Sequence, residues 1–406
     1  MTRRRYSFAA LGGVLAIAAT AVTGVAVAGP AAAAGSVATV TTTPTPVAVS
    51  LGDSFISGEG GRFAGSVYNN LGSDGESDTG PHNLGWGVYR DQNGNPISGE
   101  RERCHRSVSA EINGAAKAFG QVPINLACSG ATTRDILTDS RRGEKPQIEQ
   151  LAAVAADKTK QIKTIAVSIG GNDLGFASIL ADCTQITNYH DCGTNGTYAK
   201  LEARRATVKA NVTSTLNAIT TTMRNNGYAD DSYKFVYQSG PDLFATSGSR
   251  YRSSSIFTWY KESPGVPMSD GTVDFAHNAI VPFIGKLMKD AATSADNKHI
   301  QFLDLENAFE GHQLSHTATE QITVPWVGKT KTPAASTAEW VVPINSNYMA
   351  GTIFDTERQQ ESYHPNKFGQ DALTTCLVGA LKTNASEVFC AGHGGQPPSA
   401  QTITTN

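Results

Sequence analysis

Short apolar segments rich in β-branched residues alternate with amphipathic segments along most of this chain. The run 163–169, KTIAVSI, is typical of a buried strand, whereas residues 201–223 have apolar side chains at steps of three and four, which predicts a long helix. This alternation predicts an α/β fold with three layers, α/β/α, and a mostly parallel central sheet covered on both faces. The predicted strands are 47–51, 123–127, 163–169, 233–237 and 300–305, and the predicted helices are 107–119, 132–137, 146–156, 201–223, 275–291 and 366–381.

Three long insertions interrupt this pattern, at 56–103, 241–274 and 306–350. The first is rich in Gly, Asn, Asp and Ser, the second contains Ser, Gly and Pro, and the third has little periodicity. Loops of this length in one domain are usually functional or disordered. The large aromatic residues of the second and third insertions include Phe244, Tyr251, Phe257, Trp259, Tyr260, Trp326, Trp340 and Tyr348.

The N-terminus has the layout of a secretory signal peptide. A basic head, Arg3 to Arg5, precedes an apolar segment, 8–27, and an Ala-rich zone that ends at Ala34. We expect a signal peptide at 1–34, cleaved after Ala34, with Ala28 as the alternative site. A membrane anchor is the weaker interpretation, because Thr and Gly interrupt the apolar segment. A Thr/Pro-rich leader at 35–46, a folded domain at 47–392 and a flexible tail at 393–406 complete the expected organisation of a secreted, extracellular protein.

Charge and cysteine content narrow the classes of function. The net charge is −3 with both signs dispersed, which argues against a nucleic-acid partner because phosphate binding requires a basic face. An even number of cysteines in an exported chain predicts disulfides, although six cysteines permit fifteen pairings. Nearest neighbours along the chain suggest Cys104–Cys128, Cys183–Cys192 and Cys376–Cys390. Zinc binding is the alternative, but the chain has no C-x-x-C motif.

Four short motifs follow or flank the predicted strands. They read Gly52-Asp-Ser54, Cys128-Ser-Gly-Ala-Thr132, Gly170-Gly-Asn-Asp173 and His364-Pro-Asn366. Each motif alone is compatible with an ordinary turn. A serine directly after a strand is nevertheless expected to be exposed at the edge where open α/β sheets bind ligands.

Taken together, the motifs contain the groups that acyl transfer requires. A nucleophilic serine needs a base for its proton and hydrogen-bond donors for the oxyanion of the tetrahedral intermediate. Ser54 is the candidate nucleophile and His364 the candidate base. The backbone N–H groups of Ser54 and Gly130 and the side-chain amide of Asn172 are the candidate oxyanion donors.

The order and wording of these motifs resemble the SGNH hydrolases, or GDSL esterases, whose name comes from a Ser, a Gly, an Asn and a His. The matching residues are Ser54, Gly130, Asn172 and His364, and the resemblance extends from about Val47 to Leu381. The first block reads GDSF instead of GDSL. The resemblance implies a flavodoxin-like fold, a Ser-His acyl-enzyme mechanism, and neither a metal nor an organic cofactor.

The group behind His364 is where the chain departs from the family. The family commonly has an Asp three residues before the His, and this chain has Glu361 there. Glu361 is one methylene longer and could hold the imidazole tautomer. The chain looks most similar, however, to secreted actinobacterial members with three disulfides, which use a backbone carbonyl instead. In that case the Ser362 carbonyl takes the role and Glu361 is a surface residue.

The resemblance favours a lipid or fatty acyl ester as substrate, since the similar secreted proteins are esterases, lipases and phospholipases. It implies a monomer that makes transient contact with lipid interfaces. The aromatic residues of the insertions either line an acyl groove or lid, or pack the loops onto the sheet. A carbohydrate O-acetylesterase of the same family is the alternative, and a non-catalytic secreted binding protein is a further one.

Five other polar residues are expected to have structural roles. Asp53 braces the turn before Ser54, and Asp173 shapes the Asn172 loop or caps the helix that follows it. His312 and His316 have the i, i+4 spacing of metal ligands, but no Cys or carboxylate nearby completes a set. His105 is expected to be loop structure beside Cys104.

Overall fold

In the part of the chain that the structure describes, seven strands form one sheet in the order β2-β1-β3-β4-β5-β6-β7. The computed structural model describes residues 43–61, 89, 91, 104–183, 192–193, 196–250, 266, 268–320, 333–342 and 360–406. All pairs from β1 to β6 are parallel, and β7 is antiparallel to β6. The strands are β1 (Thr45–Gly52), β2 (Val122–Asn125), β3 (Lys160–Ser168), β4 (Lys234–Gln238), β5 (Ile300–Asp304), β6 (Glu387–Ala391) and β7 (Thr402–Thr405).

Helices connect the parallel strands, as crossover connections require. They are α1 (Ser54–Ser57), α2 (Glu111–Ala118), α3 (Thr133–Leu137), α4 (Gln147–Ala156), α5 (Gly171–Leu174), α6 (Phe176–Cys183), α7 (Thr197–Asn225), α8 (Asp270–Phe275), α9 (Val281–Ser294) and α10 (Lys367–Leu381). A π-helical segment, Ala276–Ile280, joins α8 to α9, where the sequence predicts one continuous helix. None of the helices in the described segments combines the length and the apolar character of a membrane span.

The alternation of side chains along β1 separates two hydrophobic cores. Val47, Val49 and Leu51 point to the face covered by α3, α4, α7 and α9. Ala48 points to the other face, which α2 and α10 cover. Because successive side chains of a strand point to opposite faces, apolar residues at nearly every position of a strand predict burial on both. The three-layer α/β fold expected from the sequence is therefore confirmed.

Topology brings the motif loops together. Strand β1 lies between β2 and β3, so the carboxyl ends of these three parallel strands are neighbours. The chain continues from them into the Ser54 turn, the Gly130 loop and the Asn172 loop. The backbone N–H of Cys128 donates to Gly52 O at 3.0 Å, and that of Asp53 donates to Ser168 O at 3.0 Å, which joins the three loops at their roots.

The C-terminus differs from expectation. The segment 393–406, expected to be a flexible tail, contains β7, which pairs with β6 at the edge of the sheet. Strands β6 and β7 are only five and four residues long, so their sequence alone does not predict strands; pairing with β5 and with each other stabilises them. Strand β1 also begins at Thr45, within the expected leader. The expected signal peptide and most of the insertions, with Tyr251, Phe257, Trp259, Tyr260, Trp326 and Tyr348, lie outside the described residues.

Candidate active site

Ser54 lies in a sharp turn between β1 and α1. Gly52 has a φ of 137°, and a Cβ there would lie 1.9 Å from the carbonyl oxygen of Ser168, so only glycine fits. The Asp53 carboxylate accepts the N–H of Phe55 at 3.2 Å and caps α1, which is the bracing role expected for it. Burial raises the pKa of Asp53 to about 7. The turn thus fixes Ser54 as the first residue of a short helix.

His364 contacts Ser54 although the two residues are far apart in the chain. The Nε2 atom of His364 lies 2.7 Å from Ser54 Oγ, and its Nδ1 atom lies 3.1 Å from the carbonyl oxygen of Ser362. Because a carbonyl only accepts, Nδ1 carries the hydrogen, and Nε2 of the neutral ring is left with a lone pair for the serine hydroxyl. Ser54 is 6% exposed rather than open to solvent as its strand-end position predicts.

A strained turn presents the Ser362 carbonyl to the imidazole. Tyr363 has a φ of 63°, which is rare for a bulky residue, and the His364 N–H donates to Glu361 O at 3.1 Å. The Tyr363 ring packs edge-on against Phe244 with 5.1 Å between centroids. This packing holds the turn, and Phe244 therefore contributes to the core, as one of the two expectations for the aromatic residues states.

The Glu361 side chain has a different partner. Its Oε1 accepts the Tyr89 hydroxyl at 2.5 Å, whereas His364 Nδ1 faces the Ser362 carbonyl. Glu361 is 1% exposed. The expectation that it is a surface residue is therefore wrong: the tight turn at Tyr363 directs the side chain inward, where a hydroxyl compensates its burial.

The loops of Gly130 and Asn172 are tied to each other. Gly130 has a φ of 69°, and a Cβ there would lie 2.3 Å from the Arg141 guanidinium. The Asn172 amide donates to Ala131 O at 2.9 Å, which uses one of its two N–H bonds. Among the described residues, the backbone N–H groups of Ser54 and Gly130 donate to no protein acceptor. These donors are the ones that the sequence singles out for an oxyanion.

Asp173 connects the same two loops. Its carboxylate accepts the Thr133 hydroxyl at 2.5 Å and the Thr133 backbone N–H at 3.1 Å. Thr133 is the first residue of α3, so Asp173 caps α3 rather than the helix that contains it. Burial raises the pKa of Asp173, and the hydrogen bonds from Thr133 oppose this rise. The Asn172 loop is thereby anchored beside the Gly130 loop.

Three disulfides are present, with the pairing expected from the sequence. Cys104 is bonded to Cys128, Cys183 to Cys192 and Cys376 to Cys390. The first of them lies at the site, because Cys128 begins the Gly130 loop. The third joins α10, which follows His364, to β6. Two of the three bonds thus brace segments that carry candidate site residues.

Sequence analysis missed a buried carboxylate at the site. Glu59 is 1% exposed, and its Oε2 lies 3.8 Å from His364 Nε2. Its Oε1 lies 2.8 Å from His105 Nδ1, and its Oε2 accepts the Ser129 hydroxyl at 2.5 Å. His105 is therefore part of a buried ion pair and not only loop structure. The available signal was a single acidic residue in the otherwise uncharged glycine-rich stretch FISGEGG.

His312 and His316 do not form a pair of metal ligands. The His312 ring stacks on Trp340 at 3.7 Å, and its Nδ1 lies 2.9 Å from Ala338 O. His316 Nδ1 accepts the Ala318 N–H at 3.0 Å. Within the described segments, no group of three His, Cys, Asp or Glu side chains could hold a metal ion. Trp340 is fully buried and, like Phe244, packs its loop onto the core.

Comparison with solved structures identifies the fold. An extracellular lipase from Streptomyces rimosus is 21% identical, with a TM-score of 0.50 over 83% of this chain and 99% of that one. A phospholipase A1 from Streptomyces albidoflavus is 19% identical, with a TM-score of 0.45 over 84% of this chain and 100% of that one. A family two carbohydrate esterase from Clostridium thermocellum is 12% identical, with a TM-score of 0.34 over 84% of this chain and 65% of that one.

Sequence comparisons add nothing to this result: no protein-family model and no curated protein sequence matches the chain. The Streptomyces rimosus lipase supports the fold alone, given its low identity. It thereby confirms the fold that the resemblance of the four motifs implies.

Proposed function

We propose that this chain is a secreted serine carboxylester hydrolase of the SGNH type that acts on lipid or fatty acyl esters. The observation that carries the proposal is the contact between Ser54 Oγ and His364 Nε2 at 2.7 Å. The opposite ring nitrogen faces a carbonyl, which leaves Nε2 free to accept a proton. A serine and a histidine in this relation are the minimal parts of an acyl-transfer site.

The mechanism follows from these contacts. Ser54 Oγ attacks the ester carbonyl while His364 Nε2 takes its proton. The N–H groups of Ser54 and Gly130 and the amide of Asn172 stabilise the oxyanion. His364 then protonates the leaving alcohol, and water releases the acid by the same steps in reverse order. Throughout, the Ser362 carbonyl holds the imidazole tautomer, the role that a carboxylate has in a triad.

The substrate class rests on resemblance. The motifs are most similar to secreted actinobacterial esterases and lipases, and the protein with the similar fold is described as an extracellular lipase. The predicted signal peptide and the three disulfides support an extracellular location. Such a protein would meet lipid at an interface and act as a monomer.

Covalent labelling tests the nucleophile. A fluorophosphonate should label wild-type protein at Ser54, and Ser54→Ala should remove the label. Ser232→Ala is the matched control, because Ser232 is exposed beyond the opposite end of the sheet, before β4. Labelling at another serine, or none, would contradict the proposal and favour a binding protein on this fold.

A series of esters tests the substrate class. Turnover of p-nitrophenyl esters from acetate to palmitate, measured beside release of fatty acid from phosphatidylcholine, should be greater for the longer chains. A long acyl chain offers more apolar surface to bury, at about 0.8 kcal/mol per CH₂. Activity confined to acetate would exclude the lipid substrate and favour an O-acetylesterase.

A further inference from the structure

The carboxylate of Glu59 is held by donors on two segments that a disulfide joins. His105 follows Cys104, Ser129 follows Cys128, and these cysteines are bonded to each other. The Ser129 N–H also donates to Cys104 O at 3.0 Å. The disulfide and this hydrogen bond thus fix the positions of His105 and Ser129 relative to each other, independently of their contacts with Glu59. We call Glu59, His105 and Ser129 the Glu59 cluster.

The backbone ties the Glu59 cluster to the candidate nucleophile. The Glu59 N–H donates to Ser54 O at 3.0 Å, so the carboxylate follows any movement of the α1 turn. The His105 ring stacks on Tyr89 with 4.6 Å between centroids, and Tyr89 in turn donates to Glu361. The cluster therefore spans the space between the Ser54 turn, the Gly130 loop and the turn before His364.

Glu59 is charged despite its burial. Burial alone would raise the pKa of Glu59, but the charge that His364 carries when it is protonated and the hydrogen bonds from His105 and Ser129 outweigh it and hold the pKa below its usual value. Burial likewise opposes protonation of His105, and the hydrogen bond and charge of Glu59 overcome it, so that the pKa of His105 is raised. Asp53, Glu361 and Arg142 are the other charged groups that act on this pair.

The position of Glu59 matches the charge that develops in the reaction. When Ser54 loses its proton, positive charge forms on His364, and the nearest atom of Glu59 lies 3.8 Å from the nitrogen that receives the proton. An opposite charge at this distance stabilises the charged ring. The same oxygen already accepts the Ser129 hydroxyl, which leaves the new N–H directed at the substrate rather than at Glu59.

We propose that Glu59 is a positioning residue that stabilises the protonated imidazole of His364. It acts from the side of the ring that faces Ser54, whereas the other ring nitrogen faces a backbone carbonyl. The proposal rests on the function proposed above. Glu59 stays ionised throughout, touches no substrate and exchanges no proton. In this chain the stabilising carboxylate comes from the nucleophile block and not from the residue three positions before the histidine.

The pH–rate profile of Glu59→Gln tests the proposal. Glutamine keeps an acceptor for His105 and can donate to the Ser129 hydroxyl, so it removes the charge and conserves the hydrogen bonds. Without the carboxylate the protonated ring is less stable. The pH of half-maximal kcat/KM on the acidic side should therefore move down by about one unit, and kcat at the plateau should fall about tenfold with KM unchanged.

Glu111→Gln is the matched control, because Glu111 is equally buried but its carboxylate bonds to Gln238 and, among the described residues, forms no ion pair with a histidine. It should leave the acidic side of the profile unchanged. An unchanged profile in Glu59→Gln with a lower melting temperature would overturn the proposal, because a purely structural Glu59 changes stability alone.

Ser129→Ala covers the case in which Glu59→Gln does not fold. It removes one donor from the same carboxylate oxygen and leaves the charge, so the half-maximal pH should move upward, opposite to Glu59→Gln. No movement in Ser129→Ala would overturn the proposal. Fluorophosphonate labelling distinguishes a failure of the proposed function from a failure of the role of Glu59. If Ser54 of the wild type is not labelled, the proposed function is wrong. If Ser54 is labelled while both pH–rate profiles are unchanged, only the role of Glu59 is wrong.

Discussion

Two glutamates of this protein are equally buried, but the pKa of one is lowered and that of the other is raised. Glu59 is 1% exposed and its pKa lies below the usual value, whereas Glu111 is fully buried and burial raises its pKa to about 8. Glu111 accepts a single side-chain hydrogen bond, from the Gln238 amide at 2.5 Å. Glu59 has a hydroxyl, an imidazole and a second histidine around it.

The difference shows that partners, not burial, decide whether a carboxylate is ionised. Glu111 lies in the first turn of α2, where α2 packs against α10, and its neighbours Gln238 and Gln370 are neutral amides. Glu59 lies where three loops converge and where a disulfide positions its donors. Glu59 is therefore ionised because the tertiary structure collects donors around it, and it adjoins His364.

The largest expected effect tests whether the site beside Glu59 is catalytic. Asn172→Ala should lower kcat by about 10²–10³ because it removes an oxyanion donor. Steady-state hydrolysis of a p-nitrophenyl ester measures this change, with KM nearly unchanged. Wild-type turnover in Asn172→Ala would show that Asn172 is not an oxyanion donor. The site beside Glu59 would then not be the catalytic site proposed here, and the two glutamates would differ only in their effect on stability.

Removing the disulfide that positions the Glu59 donors should be the next largest effect. Cys104→Ser/Cys128→Ser loses a bond that closes a separation of 24 residues, which predicts a free energy of unfolding lower by roughly 3 kcal/mol. Denaturant unfolding measures it. Activity should also fall, because His105 and Ser129 are no longer held at Glu59. Cys183→Ser/Cys192→Ser is the control, and an equal loss of activity there would contradict this role.

Glu111→Gln sharpens the other half of the comparison. The folded-state pKa of Glu111, about 8, lies above the usual glutamate value of 4.5, so the unfolded chain releases the proton first and stability falls as pH rises between these values. Glutamine does not titrate, and the variant should be more stable than wild type by on the order of 2 kcal/mol at pH 6. The two proteins should be equally stable near pH 4.5, and thermal melts across this range measure the difference. A stability difference that does not change with pH would show that Glu111 is ionised in the folded protein.

The smallest effect is expected for Glu361→Gln. The amide keeps an acceptor for the Tyr89 hydroxyl, and the Ser362 carbonyl keeps its contact with His364, so kcat/KM should change by less than about threefold. A pH–rate profile measured beside that of Glu59→Gln makes the contrast direct. A hundredfold loss in Glu361→Gln would transfer the role of the stabilising carboxylate from Glu59 to Glu361.

Much of the fold could be predicted because local patterns agree with it. The apolar runs of β1, β3, β4 and β5 are long enough to show burial on both faces, and the period of α7 is unambiguous. Strands β6 and β7 escaped prediction because they are only five and four residues long, and their pairing with neighbouring strands does not show in the sequence. The π-helical segment before α9 could not be predicted, because the apolar pattern of residues 275–291 is that of one continuous helix.

The candidate site divides in the same way. Ser54, Gly130, Asn172 and His364 follow strands in recognisable motifs, so their types and order are legible in the chain. Glu59, His105 and Ser129 have no motif. Their meaning depends on distances of 2.8 and 2.5 Å between segments that are separated by 46 and 70 residues.

The sequence by itself determined the α/β pattern, the four motifs and the cysteine pairs, because these depend on periodicity and on residues close together in the chain. Only the tertiary structure decided that a backbone carbonyl faces His364, that Glu361 is buried against Tyr89, and that Glu59 is charged beside the imidazole. The reason is physical: the charge of a buried group and the hydrogen bonds of a ring depend on what surrounds them in space, and the chain order does not specify those neighbours.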